Sequence, residues 1–300
     1  MKQKKLIVIT GATASGKTAV SVALAKKLEC EIINCDSRQI YKEMTIGTAK
    51  PSIEEQDGVV HHFIDSHSIK KLITVGDYEK LADKQIAKCF KTNDFAIMVG
   101  GSGQFIDAVL HGIDPLPFSQ ELRDELNLSY QQDGLAQLAS RLYEMDPQAA
   151  NSIDKKNPQR VIRALEINLL TNLNLSEVYT KNKKELKYEA LIFEVSMPRE
   201  ALYERIDNRV LTMLDNGLEA EAKKLYKSKD NAALKTVGYR EFFDFFDGTI
   251  DHEKCVELIQ QNSRNYAKRQ MTWLKRYTEA VKLEKMTVDQ MVNKISKTIG

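Results

Sequence analysis

Gly11-Ala12-Thr13-Ala14-Ser15-Gly16-Lys17-Thr18 follows directly on the apolar run Leu6-Ile7-Val8-Ile9. The eight residues match G-x-x-x-x-G-K-[ST], a phosphate-binding loop set between a strand and a helix. Gly11 and Gly16 permit a tight turn that residues with a side chain resist. The turn aims backbone N–H groups inward at the start of the next helix, where the helix dipole favours an anion. Lys17 adds a mobile positive charge, and Thr18 offers a hydroxyl to a Mg²⁺ ion. The whole stretch, Gly11 to Thr18, is therefore expected to cradle a diphosphate.

Working outward, the first third of the chain alternates strand and helix. Residues 6–10 read as a buried strand. Residues 18–28 read as an amphipathic helix, with Val20, Ala23, Leu24 and Leu28 at helical spacing. Residues 31–35 form a second short strand, 78–90 a helix, and 95–99 a third apolar strand. Such alternation predicts a parallel sheet with helices on its faces, in which function gathers at the carboxyl ends of the strands. The phosphate loop, Asp36 and the glycines 100–103 all stand at such ends. Beyond Asp114-Pro115-Leu116-Pro117 the signal turns helical, from residue 120 to about 180, with Leu122, Leu126, Leu135, Leu138 and Leu142 as its apolar stripe. A basic loop at 181–187 and a strand at 190–195 follow, and residues after Glu200 read as helical to near the C-terminus. The expected fold is α/β: a P-loop NTPase-like parallel sheet flanked by helices, with a helical insertion domain. The sheet core takes residues 1–113 and 190–300, and the insert takes 114–189.

Bulk properties narrow the function classes. The chain has 300 residues, 42% of them apolar, enough for a substantial core. A net charge of +2 neither requires nor excludes a nucleic-acid partner. Cys30, Cys35, Cys89 and Cys255 form no CxxC pair, which points to reduced thiols in a cytoplasmic protein. No stretch approaches the roughly 18 apolar residues of a membrane span.

Several constellations bear chemistry. Asp36-Ser37-Arg38-Gln39 ends the second strand. Beside a phosphate loop, Asp36 fits Mg²⁺ binding, proton acceptance from a nucleophile, or a simple turn role. Arg38 and Gln39 suit phosphate and base edges. Residues 46–51 (Ile-Gly-Thr-Ala-Lys-Pro) read as an ordered turn carrying a cation. His61-His62 suggests metal, but adjacent residues of an extended segment point to opposite faces, so one is read as buried and hydrogen-bonded instead. Val99-Gly100-Gly101-Ser102-Gly103 permits close approach of a ligand and supplies a hydroxyl. Arg160 and Arg163, within Gln159-Arg160-Val161-Ile162-Arg163, share a helix face and fit phosphates. Residues 262–276 combine Arg264, Lys268, Arg269, Lys275 and Arg276 with Tyr266 and Trp273. That mixture suits a nucleic-acid surface or, for the aromatics, the core. Arg240, in Gly238-Tyr239-Arg240-Glu241, is placed to reach a phosphate.

Taken together and in this order, these segments resemble the bacterial tRNA dimethylallyltransferases over nearly the whole chain. The resemblance implies transfer of a five-carbon dimethylallyl group from its diphosphate to N6 of adenosine 37 in the anticodon stem-loop of tRNA, assisted by Mg²⁺. It implies catalytic roles for Lys17, Asp36, Ser102 and Arg240, and a metal ligand in Thr18. It implies RNA contacts from Asp36, Ser37, Arg38, Gln39, Ser102, Arg123, Gln159, Arg160, Val161, Ile162 and Arg163, and a monomeric enzyme. Ala12 stands where the family commonly has Pro, Ser102 where it has Thr, and Gln104-Phe105 where Leu-Tyr is usual. The alternative from residues alone is a P-loop kinase of a small molecule.

Overall fold

The N-terminal apolar run is buried on both sides. Leu6 and Val8 enter one core and Ile7 and Ile9 another, as the two-residue period of a strand requires when helices cover both faces. The computed structural model describes residues 3–114, 116–178 and 184–300. Pro115 and positions 181–183 of the basic loop lie outside the described residues. The chain forms two compact units, Met1–His111 with Glu185–Gly300, and Gly112–Lys184.

In the first unit, β1 (Lys5–Thr10), α1 (Lys17–Leu28), β2 (Ile32–Asn34), α2 (Ile53–Gln56), β3 (His61–His62), α3 (Val75–Thr92), β4 (Phe95–Gly100) and α4 (Gly103–His111) come first. The described strands make one six-stranded sheet of order β3-β2-β4-β1-β5-β6, with β5 (Glu189–Ser196) and β6 (Val281–Glu284) supplied by the C-terminal part. Each pairing between these strands is parallel. β6 corrects the expectation of helix alone after Glu200. Only four residues long, it buries Leu283 while Lys282 and Glu284 are exposed, too brief an alternation to stand out in sequence.

The faces of the sheet are closed by helices for the usual reason, apolar burial. α1 brings Val20 and Leu24, and α14 (Val288–Ile299) brings Val292, Ile295 and Ile299, to one face. Tyr78 of α3 and Phe105 of α4 pack on the other, their rings stacked with centroids 3.9 Å apart. Further helices of this unit are α10 (Arg199–Asp215), α11 (Leu218–Leu225), α12 (Arg240–Phe246) and α13 (His252–Leu274).

The second unit contains α5 (Gln120–Asp133), α6 (Leu135–Met145), α7 (Pro147–Ser152), α8 (Pro158–Thr171) and α9 (Leu175–Val178). Leu126, Leu138, Leu142, Val161, Ile162 and Leu165 form its core. Ser119, Asp146 and Asn157 cap helix starts through their side chains, and Pro147 and Pro158 occupy first-turn positions where no N–H is needed. At its centre Glu166 is wholly buried and accepts from Arg123, from Arg163 at 2.6 Å, and from the Ser119 N–H at 3.2 Å.

Burial alone pushes the Glu166 pKa up, but its bonds to Arg123, Arg163 and Ser119 prevail and hold it below the usual 4.5. A depressed carboxylate stabilises the folded state above its unfolded pKa and ceases to do so as pH falls through the folded value. This helical unit is therefore expected to weaken in acid below about pH 4.5. Glu166→Gln should cost about 2 kcal/mol at neutral pH, read as a lower denaturant midpoint. An unchanged midpoint would mean that packing alone holds the arginines.

Candidate active site

The loop after β1 is built for close approach. Gly11 admits no side chain, because a Cβ there would lie 2.4 Å from the carbonyl oxygen of Val195 in β5. Ala14 and Gly16 take left-handed conformations, with φ of 62° and 94°. Gly16 then caps α1. Ala12 is buried against Leu202, Ile206 and Ala267, so the small residue here serves packing. The Ser15 hydroxyl is buried without a partner.

Thr13, Lys17 and Thr18 from this loop face a cavity of about 510 Å³. Asp36, Ser37, Arg38 and Gln39 line it from the end of β2, and Gly100 and Gly101 from the end of β4. Arg209 of α10, Arg240 of α12 and Tyr266, Arg269 and Gln270 of α13 complete much of the wall. The strand ends thus meet as the alternating pattern implies for a parallel sheet.

The electrostatics of this cavity are lopsided. Lys17 donates to the Ala12 carbonyl at 2.7 Å. Burial, reinforced by the Arg209 charge and only partly offset by Asp36, lowers its pKa from 10.5 to about 8. Arg209, also depressed chiefly by burial, donates to the Thr13 hydroxyl at 3.2 Å. Two desolvated cations thus face one space with Asp36 as their near anion. Such a pair suits a polyanionic ligand, whose charge would relieve both.

Asp36 takes the turn role and also faces the cavity. Its Oδ1 accepts from the N–H groups of Arg38 at 2.8 Å and Gln39 at 3.2 Å, which is a turn role. The turn uses only Oδ1, and the residue still lines the cavity.

Ser102, next to Gly101 of the wall, is half-buried. Its hydroxyl accepts from the Ser37 N–H at 3.2 Å and bonds to Tyr266. These contacts brace the turn that carries Asp36. Gln39 uses its amide to donate to the carbonyls of Thr48 and Ala49, each at 3.1 Å. The cation of residues 46–51 is likewise structural: the Lys50 side chain is 3% exposed and paired with Asp65.

Arg240 reaches the cavity wall but pairs with Glu241 at 2.8 Å. Its neighbour Tyr239 donates to Glu221 at 2.6 Å, and Glu221 accepts the N–H groups of Thr45, Ile46 and Gly47 at 2.9–3.0 Å. The segment 238–241 therefore also shapes the loop at 46–51. His61 lines the cavity with Nδ1 2.9 Å from the Val59 carbonyl, and burial lowers its pKa.

In the helical unit Gln159 and Arg160 are exposed, whereas Arg123 and Arg163 are engaged by Glu166. Val161 and Ile162 are 0% and 3% exposed. Their expected RNA contact is corrected on that ground: their side chains are core, and exposing them would open the packing around Leu126 and Leu165.

Two wall residues make contacts that the sequence reading did not assign. Gln270 accepts from the Thr13 N–H at 2.8 Å and donates to the Gly101 carbonyl at 3.0 Å, tying the phosphate loop to the β4 turn. Arg209 is the other. Its one signal is an arginine among Leu202, Ile206 and Val210 on the buried side of α10.

Comparisons with known proteins agree on one family. A family model described as IPP transferase matches residues 39–277. The tRNA dimethylallyltransferase of Cytophaga hutchinsonii is 44% identical, over 92% of this chain and 91% of that protein. That of Flavobacterium psychrophilum is 45% identical, over 90% and 91%. Among solved structures, the tRNA isopentenylpyrophosphate transferase of Bacillus halodurans superposes with a TM-score of 0.74 at 36% identity, covering 99% of this chain and 96% of that one. A eukaryotic dimethylallyltransferase acting on tRNA gives 0.81 at 27% identity, covering 99% and 77%. None of these relatives favours the kinase alternative, and the chain belongs to the IPP transferase family.

Proposed function

We propose that this enzyme transfers a dimethylallyl group from dimethylallyl diphosphate to N6 of adenosine 37 in the anticodon stem-loop of tRNA. The observation that carries the reading is the pair of desolvated cations, Lys17 and Arg209, opposed to Asp36 across one cavity. In the reaction the allylic C–O bond breaks and an N6–C bond forms. Negative charge grows on the departing diphosphate, where the loop N–H groups, Lys17 and Arg209 stabilise it, joined by Arg240 from the wall. The exocyclic amine is a poor nucleophile. Asp36 orients it and takes its proton as the new bond forms. The target base must leave the anticodon-loop stack to reach these groups, at a cost of a few kcal/mol.

Thr18 fits Mg²⁺: its hydroxyl is a hard oxygen donor on the cavity wall beside Lys17, and phosphate oxygens and water suit the remaining positions. When bound, the ion supplies charge neutralisation at the diphosphate. Gln159 and Arg160, the exposed pair on α8, are proposed to grip tRNA, with Arg123 and Arg163 held beside them by Glu166. Among the described residues no helix is long and apolar enough to cross a membrane. With tRNA as its substrate, the enzyme is proposed to work in the cytoplasm, and as a monomer.

The direct test supplies the protein with Mg²⁺, dimethylallyl diphosphate and unmodified tRNA carrying adenosines 36 and 37. The expected product is N6-dimethylallyladenosine by nucleoside mass spectrometry. ATP turnover without tRNA, and no modified nucleoside, would restore the kinase reading.

Two further outcomes follow from the charges. Lys17 must be an ammonium to stabilise the diphosphate, so kcat/KM is expected to fall above about pH 8. Lys17→Arg should remove that limb, and a flat profile to about pH 10 would show that Lys17 does not titrate in the working range. Arg160→Ala should weaken tRNA binding and lower the salt slope by about one. An unchanged slope would place Arg160 away from the RNA.

A further inference from the structure

At the other end of β2, Glu31, His62 and Cys89 converge, and no role in the transfer reaction uses them. Glu31 immediately precedes β2, His62 lies in β3, and Cys89 comes from α3. Their ligand atoms all lie within 4.8 Å of one another. His62 Nε2 is 2.8 Å from Glu31 Oε2, and Cys89 Sγ is 3.6 Å from the same oxygen.

We propose that Glu31, His62 and Cys89 form a structural binding site for a borderline-soft divalent cation of the Zn²⁺ class. One nitrogen, one sulfur and one carboxylate oxygen are the donor types that such an ion takes. Tetrahedral bonds of ordinary length separate these donors by about 3.4–3.6 Å. Small side-chain adjustments reach that spacing.

A second observation points the same way. His62 Nε2 is also 3.0 Å from the Gln85 amide nitrogen. That ring nitrogen can donate to Glu31 or accept from Gln85, but one atom cannot do both. A cation satisfies Nε2 and Oε2 together through their lone pairs, with the ring proton on Nδ1, and the Gln85 amide turns to Cys89 Sγ, already 3.8 Å away. Its binding displaces the Cys89 thiol proton to solvent, leaving a thiolate ligand. Cys89 is buried while the side chains of His62 and Glu31 are 25% and 47% exposed. The site therefore has a solvent side, suited to ion access and to water as a fourth ligand. The ion would staple the two-residue edge strand β3 to β2 and α3, supporting the chain that continues from His61 toward Asp65.

Cobalt(II) titration of the full-length reduced protein tests this. A thiolate-to-cobalt absorption band in the near ultraviolet is expected to saturate at one equivalent, and Zn²⁺ should abolish it by displacement. Zn²⁺ should also protect Cys89 from alkylation, read by peptide mass spectrometry. Cys89→Ser should lose the band, and His62→Gln and Glu31→Gln should each weaken binding at least about tenfold. Absence of a band at stoichiometric cobalt, or its survival in Cys89→Ser, overturns the site. Should Cys89→Ser fail to fold, the exposed Glu31→Gln decides, and unchanged cobalt affinity there refutes the proposal.

Discussion

Asp36→Asn is expected to cut single-turnover transfer by roughly 10²–10⁴-fold while leaving tRNA affinity within a few-fold. The substitution is close to isosteric. The carboxamide keeps an oxygen able to accept from the N–H groups of Arg38 and Gln39, so the turn after β2 survives. What disappears is the negative charge and the proton acceptor. The amine of the target base then forms its new bond with no group to receive its proton. Loss of the anion also leaves Lys17 and Arg209 facing each other uncompensated, which favours a bound diphosphate. Binding of dimethylallyl diphosphate should therefore hold or tighten as turnover falls. Equal loss in both would place Asp36 in substrate binding, and unchanged turnover would leave it a turn residue alone.

Arg209→Gln should lower kcat by about 10²–10³-fold, the usual effect of removing one preorganised donor from a developing anion. A second readout separates this charge role from a merely structural one. Arg209 presses the Lys17 pKa down through charge repulsion. With a neutral side chain at this position, Lys17 holds its proton to higher pH, and the alkaline limb near pH 8 should move upward. A structural defect would lower activity without moving that limb. If kcat falls and the limb stays, the two cations do not share one space in the working enzyme.

Much of the architecture was legible in residues 1–111 because local rules governed it. An apolar run four residues long, two glycines and a lysine at set spacing suffice for strand, turn and anion site. Asp36 was legible for the same reason, as an acid at a strand end. The short strand β6 was not, since four residues beside a charged surface carry little periodic signal. Val161 and Ile162 read, with their arginine neighbours, as one RNA-facing segment. On a helix, however, neighbours in sequence lie about 100° apart, and this pair faces the core.

The histidine pair shows the converse. Adjacent histidines pointing to opposite faces argue against a shared metal ion, and the spacing argument stops there. His62 finds Glu31 and Cys89 only because β3 pairs beside β2 and α3 packs on the sheet.

The chain by itself determined the strand–loop–helix proposed to bind phosphate, the parallel sheet and the acid beside it. All three depend on short-range geometry: backbone freedom at glycine, side-chain period and helix dipole. Only the tertiary structure decided which distant groups complete the cavity. Arg209 and Gln270 stand 196 and 257 residues from Thr13, the loop residue each one bonds. Helix packing brings them there, and no local pattern encodes the pairing. Burial then does what sequence cannot express. It strips water from Lys17 and Arg209, and that desolvation turns two ordinary cations into a site that is complete only with an anion between them.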